Sequence, residues 1–286
     1  MSRYYNQVRD EYKRTVVKAP AEVLSAPSVP DVIPEAEQVR SESKAEPFLQ
    51  CEKVRIAAGS QRPLILGDTA TFCRAEDSYR VLRTRLLRLM TSRGLRSVVI
   101  SSPVPGEGKT LTSINLGLTF AKLQDRKVLL VDADLRTRGL SQLFEPHSFP
   151  GLNEILQGEA TFESTVLASD VPNLWVVTAG QNLGGSPEAF AGERWKEFMT
   201  WVSKSFEVVL VDAPPILPMA DFELITAGCD STMMVVRALK TSRELLGNAV
   251  KHVDPKKFLG IVFNGSGPQN GHGYYGYGTY DSNALP

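Results

Sequence analysis

The 286-residue chain has little cysteine: Cys51, Cys73 and Cys229 are widely spaced and odd in number. That excludes a disulfide framework and any paired-cysteine zinc pattern, and a reducing compartment is the simplest reading. It also lacks net charge, with 32 basic residues against 32 acidic ones. The general electrostatic grip that nucleic-acid binding requires is therefore missing, and no nucleic-acid partner is expected. No apolar run approaches the ~20 residues of a membrane span. The polar opening MSRYYNQVRDEYKR does not read as a signal peptide, so the chain is expected to meet a membrane only through another protein. Tyrosine is scarce in the middle. Of eight tyrosines, Tyr4, Tyr5, Tyr12, Tyr274, Tyr275, Tyr277 and Tyr280 sit in the terminal segments, and only Tyr79 falls inside.

What is present divides the chain into three. Residues 1–60 combine a stretch of mixed polarity at 4–17, which could form a short helix, with a proline-punctuated run at 18–50. That run holds too little apolar surface to offset its ordering entropy and reads as a disordered linker. Residues 61–266 alternate apolar, β-branched runs with helical stretches. Strands are expected at 97–101, 127–132, 174–178, 208–212, 232–236 and 259–264. Near-continuous apolar strands between helices predict an α/β fold, a doubly wound, mostly parallel sheet covered on both faces. Helix starts are expected at Ser186-Pro187-Glu188, and at Thr241, whose capping box would close on Glu244. Residues 267–286 are low in complexity and read as a flexible, tyrosine-rich tail.

Residues 101–110, SSPVPGEGKT, follow an apolar strand and precede a helical pattern at 111–123. Glycines let a backbone approach a triphosphate, and successive N–H groups form a cradle for it. The segment is a phosphate-binding loop of the P-loop type. Pro105, Gly106, Glu107, Gly108, Lys109, Thr110 and Leu111 are the expected nucleotide contacts, with ATP as ligand. Lys109 would reach the β- and γ-phosphates and the Thr110 hydroxyl would ligate Mg²⁺. Pro103 stands where the generic loop has its first glycine.

Two further strand ends carry carboxylates: VLLVDADLR, with Asp132, Asp134 and Arg136, and VVLVDAPP, with Asp212 and Pro215. In a parallel sheet the carboxyl ends of strands share the edge where ligands bind, so these groups should meet the phosphate loop there. Lys109, Asp132, Asp134, Arg136 and Asp212 are the catalytic candidates, and Thr110, Asp132 and Asp212 the candidate Mg²⁺ holders. Asp134 taken alone could equally cap a turn, and Arg136 could be a solvated charge.

The set SSPVPGEGKT, LLVDADLR and VLVDAPP resembles the bacterial tyrosine kinases of capsule and exopolysaccharide biosynthesis, over roughly residues 70–265 and into the tail. The resemblance implies a P-loop fold of the partition-ATPase-like type and ATP-dependent phosphorylation of a C-terminal tyrosine cluster between subunits, here Tyr274, Tyr275, Tyr277 and Tyr280. It also implies a ring-forming helix motif, E-x-x-R-x-x-R, which this chain matches with Asp77, Arg80 and Arg83, aspartate replacing glutamate. A separate membrane-spanning polysaccharide co-polymerase would act as activator and hold the kinase at the cytoplasmic face of the membrane. Partition-type switch ATPases share the fold, but their loop carries a lysine where this chain has Val104. A nucleotide-binding assembly regulator without catalysis is the remaining alternative, and the intact Lys109, Asp132, Asp134 and Asp212 argue against it.

Overall fold

Three runs of aliphatic residues, none of them alternating with polar ones, form the centre of the sheet: β2 (Ser97–Ser101), β3 (Val128–Asp132) and β7 (Val208–Asp212), every residue buried. A strand buried on both faces has no use for a polar side, so the period-2 signal vanishes. The structure is a computed structural model that describes residues 51–57, 64, 70–181, 187–217 and 220–265. The expected helix at 4–17, the linker at 18–50 and the tail at 267–286, with Tyr274, Tyr275, Tyr277 and Tyr280, lie outside the described residues.

Around this centre stand β1 (Lys53–Ile56), β4 (Phe144–Glu145), β5 (Leu167–Ser169), β6 (Leu174–Val177), β8 (Ser231–Arg237) and β9 (Phe258–Asn264). Their order is β4-β1-β5-β6-β3-β7-β2-β8-β9. From β6 to β9 every pairing is parallel, as expected. The opposite flank departs from that expectation: β5 runs antiparallel to β6 and β4 antiparallel to β1. These flank strands are two to four residues long, too short to leave a period in the sequence. β1 also lies ahead of the boundary expected at residue 61.

Helices cover both faces. The long ones are α1 (Ala70–Arg93), α2 (Lys109–Ala121), α5 (Glu193–Ser205) and α7 (Arg243–Val250). The short ones are α3 (Leu152–Gln157), α4 (Phe162–Thr165) and α6 (Asp221–Ala227). Alternation along β3 divides the core. Val128 and Leu130 pack with Ile114, Leu116 and Phe120 of α2, whereas Leu129 and Val131 pack with Trp195, Phe198 and Val202 of α5. Each fully buried side chain of this kind contributes roughly 1.5–3 kcal/mol. Helix α2 lies close on the sheet because it carries Gly117 there; a Cβ would stand 2.9 Å from Leu130 Cδ2. On α1 the inward side is apolar: Leu86 is buried, and Tyr79, Leu82 and Leu89, at helical spacing from it, are half-buried. Two helix starts differ from expectation. Ser242, not Thr241, caps α7, accepting from the Leu245 amide at 3.2 Å. Pro187 opens a short 3-10 turn, Pro187–Ala191, and α5 begins only after Gly192.

Candidate active site

The phosphate loop joins β2 to α2 at the carboxyl edge of the sheet. Gly106 and Gly108 take φ of 82° and 93°, left-handed values that suit glycine. At Gly108 space is closed as well, since a Cβ would lie 2.0 Å from Asn264 Nδ2. Helix α2 starts at Lys109, and its first-turn amides and positive end face the loop. The loop is clamped from the ends of β8 and β9. Arg237 donates to the Gly106 carbonyl at 3.3 Å and Asn264 Nδ2 to the Glu107 carbonyl at 2.9 Å. Thr241 donates its hydroxyl to the buried Glu107 carboxylate. Of the expected nucleotide contacts, Pro105 and Gly106 are exposed. The Leu111 side chain turns into the apolar core, so that residue can offer a ligand only backbone.

The aspartates converge where expected. β3 and β7 are neighbours in register, with Asp132 directly opposite Asp212. Lys109 Nζ lies 2.8 Å from Asp134 Oδ2 and 3.7 Å from Asp212 Oδ2. Thr110 Oγ1 donates to Asp212 Oδ2 at 2.7 Å, and Ser113 Oγ to Asp212 Oδ1 at 3.0 Å. Asp132 Oδ2 accepts from both the amide and the hydroxyl of Ser141, at 2.7 and 2.6 Å, and its Oδ1 accepts from the Asp134 amide at 3.2 Å. Arg136 is half-exposed and pairs with a carboxylate outside the cluster, its Nε 3.6 Å from Asp221 Oδ2.

Burial governs the protonation of this cluster. It pushes the Asp132 carboxyl up to about 7, helped by the Asp212 charge and opposed by the two Ser141 bonds. It also raises Asp212, against the pull of Lys109, Thr110 and Ser113. For Lys109 burial works downward, but the Asp212 and Asp134 charges outweigh it and hold the ammonium above its ordinary value.

Three carboxylates around one ammonium leave a buried excess of negative charge, which suits a divalent cation. Among the described residues no group of three or more His, Cys, Asp or Glu is arranged to hold a metal by itself. Mg²⁺ does not need one: it keeps waters and phosphate oxygens and takes one or two protein ligands. The paired Thr110 hydroxyl and Asp212 carboxylate, with Asp132 opposite, fit that demand.

Several functional neighbours escaped sequence reasoning. Ser113 lies one turn into α2, and Ser141 follows Asp132 by nine residues with no motif to mark it. Asp221, Thr241 and Asn264 come from the far end of the chain. The expected oligomerisation residues have local partners: Arg80 pairs with Glu76 at 2.8 Å and Asp77 at 3.5 Å. Arg83 donates to the Thr119 carbonyl in the last turn of α2 at 2.8 Å.

A doubly wound sheet with a glycine-rich loop, its lysine and three facing aspartates defines a P-loop nucleotide-binding domain, and the family model described as AAA domain matches residues 96–255. The tyrosine-protein kinase YwqD of Bacillus subtilis is 34% identical over 210 residues, 72% of this chain and 87% of its own length. The putative tyrosine-protein kinase EpsB of Ralstonia nicotianae is 32% identical over 71% of this chain, which spans only 27% of that longer protein. The kinase domain of the Escherichia coli tyrosine kinase ETK superposes with a TM-score of 0.62 at 26% identity, over 71% of this chain and 80% of that domain. The chain belongs to the bacterial tyrosine-protein kinase family. Among the described residues no helix is long and apolar enough to cross a membrane.

Proposed function

We propose that the chain is a protein-tyrosine autokinase that transfers the γ-phosphoryl group of ATP to Tyr274, Tyr275, Tyr277 and Tyr280 of another copy. The observation that carries this reading is the convergence of Lys109, Thr110, Asp132, Asp134 and Asp212 within one hydrogen-bonded cluster at the sheet edge. The loop amides and Lys109 bind the phosphates. Thr110, Asp212 and Asp132 would hold Mg²⁺, directly or through water. Bound there, the metal would supply neutralisation of charge on the phosphate oxygens. Asp134 or Asp132 accepts the phenolic proton, which at an ordinary pKa near ~10 does not leave unaided at neutral pH. The phenolic oxygen bonds to the γ-phosphorus as the bond to the β–γ bridging oxygen breaks, and ADP departs. Arg136, oriented by Asp221, faces the charge of the transferring group.

The family resemblance extends the proposal to regulation. Tail phosphorylation adds roughly −1.5 to −2 charge per tyrosine and loosens a homo-oligomeric, ring-like assembly made through the helix of Asp77, Arg80 and Arg83. Polymerisation and export of an exopolysaccharide or capsule would be gated in this way, at the cytoplasmic face of the membrane, through a separate membrane-spanning activator. The test is incubation with ATP and Mg²⁺ and mapping of phosphotyrosine by mass spectrometry, beside Lys109→Met. Phosphate on the tail in the wild type alone is the expected result. ATP hydrolysis without phosphotyrosine, with or without a candidate activator, would overturn it in favour of a switch ATPase.

A further inference from the structure

Strand β9 closes one end of the sheet, and among the described residues it pairs with β8 alone. After a register shift near Leu259, the residues Gly260 to Asn264 run in step with Met233 to Arg237, so their outward backbone groups have no ladder partner there. The strand reads FLGIVFN, without a charge or a proline, and Phe263 is 60% exposed. Edge strands are ordinarily short, charged or interrupted by proline, because an open apolar edge recruits another strand.

A groove runs between this edge and α1. Two adjoining cavities form it, of about 340 and 170 Å³. The first lies between Tyr79 and Leu82 of α1 and the end of β9, and Gly265 lines it. The second continues from Leu82 to Arg85 and Leu89, opposite Leu259 and Ile261. The helix side of the groove is basic. Residues 78–106 contain six arginines and no acidic residue. The two acids of α1, Glu76 and Asp77, are already engaged by Arg80. Arg85 and Arg88 are exposed and, at a spacing of three, are neighbours on the helix surface. Neither makes a hydrogen bond or ion pair with another described residue.

We propose that this groove is the docking site of the chain's own tail once its tyrosines carry phosphate, the tail adding as a strand along β9. The inference rests on the tail phosphorylation proposed above. The tail starts where the groove starts, at Gly265, whose φ of 69° turns the chain out of the strand. Gly267-Pro268 and Asn270-Gly271 are turn-forming pairs. A reversal centred between Gln269 and Asn270 sets Tyr275 opposite Asn264 and Tyr280 opposite Leu259, so residues 274–280 follow both cavities. Strand addition supplies the backbone bonds, and the arginines supply the choice of the phosphorylated form. The bare tail has Asp281 as its one acidic side chain and no lysine or arginine. Each phosphate adds roughly −1.5 to −2 charge and three acceptor oxygens, which guanidinium groups bind in pairs. Because the tail is tethered at the groove, docking does not depend on protein concentration. A docked tail is withdrawn as acceptor, and it covers the side of α1 beside Arg80 and Arg83, the proposed oligomerisation residues.

The test is hydrogen exchange read by mass spectrometry. Full-length protein is incubated with ATP and Mg²⁺, with or without a candidate activator, and freed of nucleotide. It is compared with the same protein after treatment with a tyrosine phosphatase. Alternate amides of a strand face its outer side, so exchange of about half the β9 amides should slow on phosphorylation. The expected slowing is about tenfold, the mark of a tail docked about nine-tenths of the time, and equal at low and high protein concentration. Arg85→Gln/Arg88→Gln, phosphorylated to the same extent, should lose it. Unchanged β9 exchange with a phosphorylated tail, slowing that persists in the arginine variant, or slowing confined to high concentration would each overturn this assignment alone. A tail that carries no phosphate after the incubation would overturn the kinase reading, and this inference with it.

Discussion

Ser141→Ala tests how the site holds its charge. The Ser141 hydroxyl donates to Asp132 Oδ2 at 2.6 Å and accepts from the Ala179 amide at 2.8 Å, all three residues buried. Alanine removes a hydrogen bond to a carboxylate, worth about 1.5–3 kcal/mol, and strands a buried amide, at a cost of about 1–3 kcal/mol. The Ser141 amide still donates to Asp132, which softens the loss, so a destabilisation of about 3 kcal/mol is expected. In a domain of this size that lowers the melting temperature by roughly 6–12 °C. The effect depends on pH. The hydroxyl serves the ionised carboxylate better than the neutral acid, and Asp132 titrates at about 7, so the loss is larger at pH 8 than at pH 6. Thermal unfolding of the nucleotide-free protein at the two pH values measures both quantities. A loss below about 1 kcal/mol, or one equal at both pH values, would refute the assignment of Asp132 as a hydroxyl-stabilised buried carboxylate.

Three further outcomes are expected. The Asp132 carboxyl is raised in the folded state, so the folded protein keeps a proton that the unfolded chain has already lost. Stability of the nucleotide-free wild type should therefore fall as pH rises from acid towards about 7, and Asp132→Asn should flatten that slope in denaturant titrations. Gly108→Ala imposes both a left-handed strain of about 1–3 kcal/mol and a clash with Asn264, so ADP binding by calorimetry should be lost. Adding Asn264→Ala should not restore binding, because the strain at φ 93° remains. Asp221→Asn, which removes the counter-charge of Arg136, should lower the rate of phosphoryl transfer several-fold while leaving ADP affinity unchanged.

How much of this was legible depends on the length of each signal. The five-residue apolar runs of β2, β3 and β7 and the GEGKT loop announce themselves, and the aspartates that end β3 and β7 follow by topology alone. The register that sets Asp132 opposite Asp212 is implied by a parallel sheet but needs the structure to be seen. Strands β1, β4 and β5 were hidden because two to four residues cannot show a period. Thr241 was read as a helix cap because it stands three residues before Glu244. The cap instead went to Ser242, leaving the Thr241 hydroxyl to bond with Glu107. Ser141 and Asn264 could not be found from sequence, since their roles arise only when distant loops meet over one edge.

The pairing of Lys109 with Asp134 bears on how tightly a nucleotide can be held. A phosphate-loop lysine that waits unpartnered gives its whole attraction to the incoming triphosphate. Here the ammonium already has a carboxylate at 2.8 Å and a second at 3.7 Å, so a nucleotide gains only the difference between one anion and another. Such an exchange holds binding to a modest strength while leaving selectivity to the loop amides. It also makes departure easy, because the lysine has a carboxylate to return to when ADP leaves. A site arranged this way is suited to exchanging nucleotide, and poorly suited to storing it.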